Sequence, residues 1–493
     1  MAGALPAAVA RRLPWWIFLA LAVAAFLPYI PTLGYKFVFD DDFQILRNPW
    51  IRNWSGLREV FTSNVWQFMN PWMPSNYYRP LHMVLYMVGY SLSGLHPAGY
   101  HLINILLHCL CTVLVALIGF RLTSDRYLSV AGGLIFALHP IHAESVTWIA
   151  AVTDPSCAAF YFAAIYFYLL DAEYRDRKAP VVLAMLSWFA ALLSKEMALT
   201  FPLIAMFMDW MLHRKIRWSR YFMMAGVLAV YAALRMHALS GFTMSALPLR
   251  LDPWTRLLST ITIFATYILK LFVPHDISAF HVFSPTTSLF SRDAALAFPV
   301  LMIFGVGAWL LRRKRNAIFL IGFCVLTLLP VLNITLVGEN VFADRYLYIP
   351  SLGACLLIPL VSQEVWKLRP AGLNWPGLQL AMALLAALLG IYAHVLVDSC
   401  SMWRDALTLY SETLERSPTA MMMARNLGGY YHNQGDYDKA IYWYQRAVEL
   451  YDKGFIKHRP NLAVAYNGLG GAYVKKRRLD IGLDYFKKAY EIT

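Results

Sequence analysis

The chain has 493 residues, 59% of them hydrophobic and 15% charged, with 43 Lys and Arg against 29 Asp and Glu. Apolar content at that level excludes an ordinary soluble enzyme and points to repeated membrane crossings. The net charge of +14 is not a nucleic-acid signature, because its clusters occupy short loops between apolar runs, where cations report topology.

In chain order, the first apolar run covers 15–30 and follows Arg11-Arg12, which places the N-terminus in the cytoplasm. No small-residue cleavage site follows, so the run is expected to be retained as a span rather than removed as a signal peptide. It delivers Asp40-Asp41-Asp42 to the opposite side, into a first outer loop at 33–98. The stretch 81–95 is apolar, but a crossing there would invert every later loop, so an interfacial helix is expected. Spans at 101–120, 128–145, 146–170, 180–194, 197–212 and 221–239 keep three basic loops on the side of Arg11-Arg12. These loops carry Arg121/Arg126, Arg175/Arg177/Lys178 and Arg214/Lys215/Arg217/Arg220.

Three apolar runs then separate the last of these loops from Arg312-Arg313-Lys314-Arg315, and an odd number cannot return to the same side. The short run 258–273 holds Lys270 and is the one expected not to cross. A span at 293–311 and three more at 317–336, 346–366 and 376–397 bring the count to about eleven, with the C-terminus outside. The six cysteines lie in or beside apolar runs, fit no zinc or disulfide spacing, and read as packing residues.

Beyond 397 the pattern changes to punctuated amphipathic helices. The segments at 406–414, 440–448 and 482–490 resemble one another, and Asn426-Leu427-Gly428-Gly429-Tyr430 recurs as Asn467-Gly468-Leu469-Gly470-Gly471. A period near 34 residues with small residues at helix contacts is the tetratricopeptide pattern, in which each helix pair needs the next to bury its face. The predicted fold is therefore all-α. A polytopic transmembrane bundle occupies 1–398, and a tetratricopeptide solenoid at 399–493 hangs beside its outer face.

The outer ends of the spans collect polar residues: Asp40, Asp41 and Asp42; Tyr78 and Arg79; His101 with Asn104; His139, His142 and Glu144; Lys195 and Glu196; and Asp344, Arg345 and Tyr346. Ionisable groups at a membrane boundary are costly and serve either pairing or function. His139 and His142 have ligand-like spacing, but the intervening Pro140 and the lack of a third ligand favour a structural turn, and a divalent metal is not indicated. The set suits transfer of a sugar from a lipid phosphate. A carboxylate would take the acceptor's proton, and cations would hold the departing phosphate, Arg best of all by its forked geometry. No phosphate-binding glycine loop is present.

Together these residues resemble the membrane O-mannosyltransferases that carry tetratricopeptide repeats, within the GT-C class using polyprenyl- or dolichyl-phosphate sugars. The resemblance runs through Phe37-Val38-Phe39-Asp40-Asp41, Tyr78-Arg79-Pro80-Leu81, Tyr100-His101-Leu102-Ile103-Asn104, His139-Pro140-Ile141-His142, Lys195-Glu196 and Arg345-Tyr346-Leu347-Tyr348-Ile349-Pro350-Ser351, in family order across about 14–400. It implies a GT-C-like fold, a lipid-monophosphate sugar as donor (mannose among the sugars it admits), and a catalytic acidic pair at Asp40 and Asp41. Arg345, with Arg79 or Lys195, would steady the phosphate. The repeats would receive a protein or peptide acceptor.

The chain departs from the family at Asp42, which makes a triplet, and at Asp344, where Glu is usual. It departs again at Val152-Thr153-Asp154, which lacks an expected Arg, and in having only two or three repeats. The expected setting is a bacterial inner membrane with the repeats in the periplasm, the alternative an endoplasmic reticulum membrane with the repeats in the lumen. The competing readings are a non-catalytic scaffold that recruits partners through its repeats, and a ligase or transporter of lipid-linked glycans.

Overall fold

The apolar runs fold as helices because backbone in hydrocarbon must satisfy its own hydrogen bonds. The computed structural model describes residues 13–70, 75–173, 178–211, 216–239, 251–334, 340–367 and 377–492. Arg11-Arg12, Arg175, Arg177, Arg214 and Lys215 of the topology argument lie outside the described residues.

The helices in chain order are α1 (Trp15–Phe26, continued by a tight turn to Gly34), α2 (Leu57–Thr62), α3 (Pro80–Ser93), α4 (Pro97–Thr123), α5 (Arg126–Leu138), α6 (Ala143–Thr147), α7 (Thr153–Glu173), α8 (Ala179–Ser194), α9 (Phe201–Met211) and α10 (Trp218–Leu239). Then come α11 (Pro253–Phe272), α12 (Arg292–Leu310), α13 (Arg315–Leu328), α14 (Ser351–Lys367) and α15 (Gly377–Ser401). The C-terminal set is α16 (Ala406–Arg416), α17 (Met421–Asn433), α18 (Tyr437–Lys453), α19 (Arg459–Lys475) and α20 (Leu479–Ile492). No strand occurs among the described residues. Eight helices are long and apolar enough to cross a membrane.

Polar contacts mark the two ends of the bundle. At one end Arg220 pairs with Asp171, Asn316 donates to the Leu122 carbonyl at 2.9 Å, and Lys314 meets Glu364 at 2.8 Å. This is the end of the basic loops. At the other end Arg235 reaches Glu196 at 3.4 Å and Lys270 reaches Asp344 at 2.8 Å.

These anchors decide which helices pass through. Helix α10 begins at Trp218, carries Arg220 in its first turn and finishes just past Arg235, so it ends at the second end. Helix α12 finishes among the basic residues that precede Asn316, so it starts at the second end too. Helix α11 lies between them and cannot cross alone, although its length and composition would allow it. It is amphipathic, and Lys270 is withdrawn from lipid into its pair with Asp344. The same reasoning holds for α3, which lies between the end of α1 and the start of α4; Tyr35 and His101 meet there with ring centroids 6.4 Å apart. That leaves α1, α4, α7, α10, α12, α13 and α15 as the described helices long and apolar enough to pass, with α5, α8, α9 and α14 shorter.

The expectation of continuous spans at 128–145 and 146–170 is corrected. Helix α5 stops at Leu138, because His139 precedes a proline and takes an extended conformation, φ −66° and ψ 121°. A fully buried corner of short turns then fills 139–152 before α7.

The repeats pack both on one another and on the bundle. Tyr444 on α18 inserts between α17 and α19, and a Cβ at Gly428 or Gly468 would fall within 2.6 Å or 2.2 Å of its ring. Gly428 and Gly468 thus leave space for one tyrosine, while Gly470 of the second repeat faces Phe486. The solenoid does not hang free. Tyr35, Val38, Trp148, Ala150 and Ala151 form one buried cluster with Met402, Trp403, Leu409, Tyr410, Ala420, Met423 and Leu427. Trp148 and Trp403 stack at 5.5 Å, Lys36 N–H donates to the Arg404 carbonyl at 3.0 Å, and Arg416 donates to the Ile277 carbonyl at 2.5 Å.

Candidate active site

The acidic loop after α1 turns sharply. Asp41 N–H donates to the Val38 carbonyl at 3.1 Å, and Phe39 takes φ +55°, the left-handed region that a bulky side chain rarely enters. Strain of that kind costs about 1–3 kcal/mol and persists where surrounding structure imposes it. Here the Phe39 ring packs on Trp148 at 5.7 Å.

The turn sends the two adjacent carboxylates to different fates. Asp41 is fully buried; its oxygens accept from Val38 N–H at 3.0 Å and Ala150 N–H at 2.9 Å. Burial still pushes its pKa well above the carboxylate range. Asp40 instead lines a cavity of about 230 Å³. Burial lifts its pKa to about 6, with Arg345 and Arg425 pulling the other way. Asp42 turns aside to pair with Arg47 at 2.7 Å, half exposed, outside the cavity.

Cations occupy another wall of the cavity, each held by a carboxylate. Arg79 meets Glu196 at 2.7 Å, and Arg235 reaches the other oxygen of Glu196 at 3.4 Å. Lys195 meets Asp154 at 2.5 Å, and Arg345 pairs with Glu144. Burial lowers the Lys195 pKa despite Asp154, with Arg79 and Arg345 adding to the effect. Burial would raise Glu196, but Arg79 and Arg235 hold it below its usual value. Four cations thus face three carboxylates, an excess of one positive charge before Asp40 is counted. The Tyr346 ring lies against two of them, 5.5 Å from Lys195 and 5.1 Å from Arg345.

The cavity is closed by Trp403, Leu409, Met422 and Met423, which belong to the end of the last span and to the repeats. A smaller void of about 70 Å³ shares Phe280 and Met422 with it and continues along α17 and α18.

Of the residues singled out from sequence, Asp40, Arg79, Lys195, Arg345 and Tyr346 line the cavity, and Glu144 and Glu196 pair with its cations. The others stand apart from it. Tyr78 donates to the Phe61 carbonyl at 2.9 Å. His101 is buried against Tyr35. His139 is bonded to the Leu271 carbonyl at 3.1 Å and His142 to Ser351 at 2.9 Å, so both pin the corner at 139–152. Asp344 ties α11 and its following loop through Lys270 at 2.8 Å and His281 at 3.2 Å. Burial would raise its carboxyl, but these two partners bring the pKa down to about 2. No group of three or more potential metal-ligating side chains is clustered among the described residues.

Sequence reasoning missed Arg235, Gln44, His82 and the repeat residues of the wall. Arg235 carried a usable signal, a cation inside an apolar helix. Asp154 was noticed only as a departure from a motif, yet it is the partner of Lys195.

Fold and site define the class: a polytopic all-α membrane protein whose tetratricopeptide solenoid closes one wall of a charged cavity. A tetratricopeptide repeat family model matches residues 419–493. Over nearly its whole length the chain is similar to protein O-mannosyl-transferases. One of Caenorhabditis elegans, F38B6.6, is 28% identical over 450 residues, 88% of this chain and 62% of that protein. Tmtc1 of Drosophila melanogaster is 26% identical, over 90% of this chain and 62% of that protein. Human TMTC1 is 25% identical, over 91% and 56%. The chain thus spans about 60% of the length of these relatives. Among solved structures, ArnT from Cupriavidus metallidurans bound to undecaprenyl phosphate aligns at a TM-score of 0.38 and 17% identity, over 96% of this chain and 77% of that one.

Proposed function

We propose that this protein is an inverting glycosyltransferase, moving a sugar from a polyprenyl-phosphate donor to a hydroxyl of a protein acceptor on the non-cytoplasmic side of the membrane. One observation carries the reading. Asp40 is the carboxylate of the cavity, among the described residues, that has neither a cation nor a backbone N–H as partner, and it lies among cations carrying one net charge to spare.

The acceptor oxygen attacks the anomeric carbon from the side opposite the phosphate. Its proton passes to Asp40 as the new C–O bond forms and the bond to the phosphate oxygen breaks. A carboxylate with a pKa near 6 is well matched to that task at neutral pH. The donor phosphodiester carries one negative charge and leaves as a phosphomonoester with more, so Arg345, Arg79 and Lys195 grip the leaving group more strongly than the substrate. Interactions that grow along the reaction are those that accelerate it. Asp41 anchors the loop rather than acting as base. The similar proteins, named as protein O-mannosyl-transferases, support mannose as the sugar and a protein as the acceptor.

The test is transfer from a short-chain polyprenyl-phosphate mannose to acceptor peptides by purified protein, with Asp40→Asn as control. Sugar on the peptide with wild type and none with the variant supports the reading. No transfer, together with no binding of the lipid, removes it in favour of a scaffold.

A further inference from the structure

His82 lies one helical turn past Arg79, near the start of α3, and is 2% exposed. Its side chain lines the cavity, yet neither ring nitrogen has a hydrogen-bond partner among the described residues. Native interiors leave few buried polar groups unpaired, because each sacrifices its hydration. His139, His142 and His108 in the same protein are all bonded.

The surroundings define what His82 can bind. Burial and the Arg79 guanidinium bring its pKa down to about 3, so the ring is neutral and offers one donor and one acceptor. Tyr86 packs edge-on against it, ring centroids 4.3 Å apart. The Tyr86 hydroxyl donates to Gln44 Oε1 at 3.1 Å, and Gln44 lines the same cavity. Gln44 is itself one turn beyond Asp40, its N–H bonded to the Asp40 carbonyl at 2.9 Å. The proposed base and a proposed phosphate cation are therefore each followed, one turn later, by a neutral polar side chain, and Tyr86 joins those two side chains.

We infer that His82 and Gln44 form the subsite for the ring hydroxyls of the donor sugar. A phosphate calls for cations, which stand elsewhere on the wall. A sugar hydroxyl both donates and accepts, and a neutral imidazole beside an amide matches it on both counts. In-line displacement also requires the sugar to lie between base and phosphate, and Gln44 and His82 line the same cavity as Asp40 and Arg79, each one turn along the chain from one of them. The inference rests on the glycosyl transfer proposed above.

The test compares the binding of two probes to the full-length protein: a short-chain polyprenyl phosphate, and the same lipid carrying mannose. His82→Leu keeps most of the volume and removes both nitrogens. It is expected to weaken the mannosylated lipid about 10-fold, the scale of one or two lost hydrogen bonds, and to leave the bare phosphate unchanged. Its melting temperature is expected to equal or exceed that of wild type, since an unpaired buried group is gone; a packing histidine would lower it. His82→Gln is expected to restore part of the preference. A wild-type protein indifferent to the mannose, or a Leu variant that keeps wild-type preference, overturns the subsite while leaving the phosphate site standing. A wild-type protein that binds neither lipid overturns both.

Discussion

The two ends of the bundle both bury ion pairs, and at one of them the pairs line the cavity that holds Asp40. At the end of the basic loops, Arg220 and Asp171 close on each other, and Tyr168 and Tyr221 both donate to Asp209, at 2.7 and 2.8 Å. At the other end the pairs of Arg79, Lys195 and Arg345, with Arg235 as a second cation on Glu196, gather around a void that Asp40 also lines. Buried charge is common to both ends and is weak evidence for function. The informative feature is paired charge gathered around a space, with one carboxylate there that has no cation of its own among the described residues.

The largest effect that could break this comparison is at the carboxylates. Asp40→Asn is expected to reduce transfer by about 10²–10⁴-fold, the usual loss on removing a general base, with little change in melting temperature. Asp41→Asn is expected to lower stability by about 1–3 kcal/mol, because an amide N–H2 would oppose a backbone donor. Its activity should fall in step with folding. The reverse pattern, with Asp41→Asn stable but inactive, would move the base.

Next come the cations. Arg345→Ala leaves Glu144 buried and uncompensated, a loss of about 3–5 kcal/mol. Adding Glu144→Gln is expected to recover most of the stability but not donor binding, which stays about 10–100-fold weak on a two-to-three hydrogen-bond scale. Arg220→Ala at the opposite end is expected to lose similar stability and keep donor binding once Asp171→Asn restores the fold. Equal binding defects at both ends would erase the distinction. Titration of bound lipid phosphate alongside thermal melts reads all four variants.

The pH dependence gives a smaller and signed effect. With Asp40 titrating at about 6, kcat/KM is expected to rise about tenfold per pH unit below 6 and level above it. Stability should run oppositely. Because the folded pKa is raised above the unfolded value of 3.8, Asp40's contribution is complete below pH 4 and is lost as pH rises through 6. Melting curves from pH 4 to 7 for wild type and Asp40→Asn isolate that slope. The mildest change is Met422→Ala, which touches both voids. It is expected to raise KM for a peptide acceptor severalfold with donor affinity unchanged, as measured by initial rates.

What the sequence carried was local or statistical. Apolar length, basic loops and the Gly-Gly helices declared a membrane bundle and a solenoid, and the odd count between Arg220 and Arg312 singled out α11 as the run that breaks the alternation. The acidic loop was visible because three carboxylates are rare beside a span. The division of labour between Asp40 and Asp41 was not, since it depends on the left-handed Phe39 and on Ala150 N–H more than a hundred residues away. Nor was the pairing of Arg345 with Glu144, 201 positions apart. His82 was hidden in a stretch read as merely apolar, and nothing in a one-dimensional pattern says that a histidine will lack a partner. The wall made by Met422 and Met423 was invisible for another reason. A repeat pattern specifies how repeats pack on each other, not what else they cover.

That shared wall has a consequence for the order of events on the ribosome. The loop at 36–40 is synthesised before its backbone partner at Arg404 and its wall at Leu409 to Met423, which follow some 370 residues later. Until the chain beyond Arg404 has emerged the acidic loop has no roof and the Trp148 surface no stacking partner, so the pocket cannot assemble piecemeal as spans enter the membrane. Closing so long a loop is slow but adds little further entropic cost per added residue. A nascent chain would thus hold its carboxylate in an open, water-filled cleft, and competence would arrive in a single late step, when the solenoid folds back and seals it.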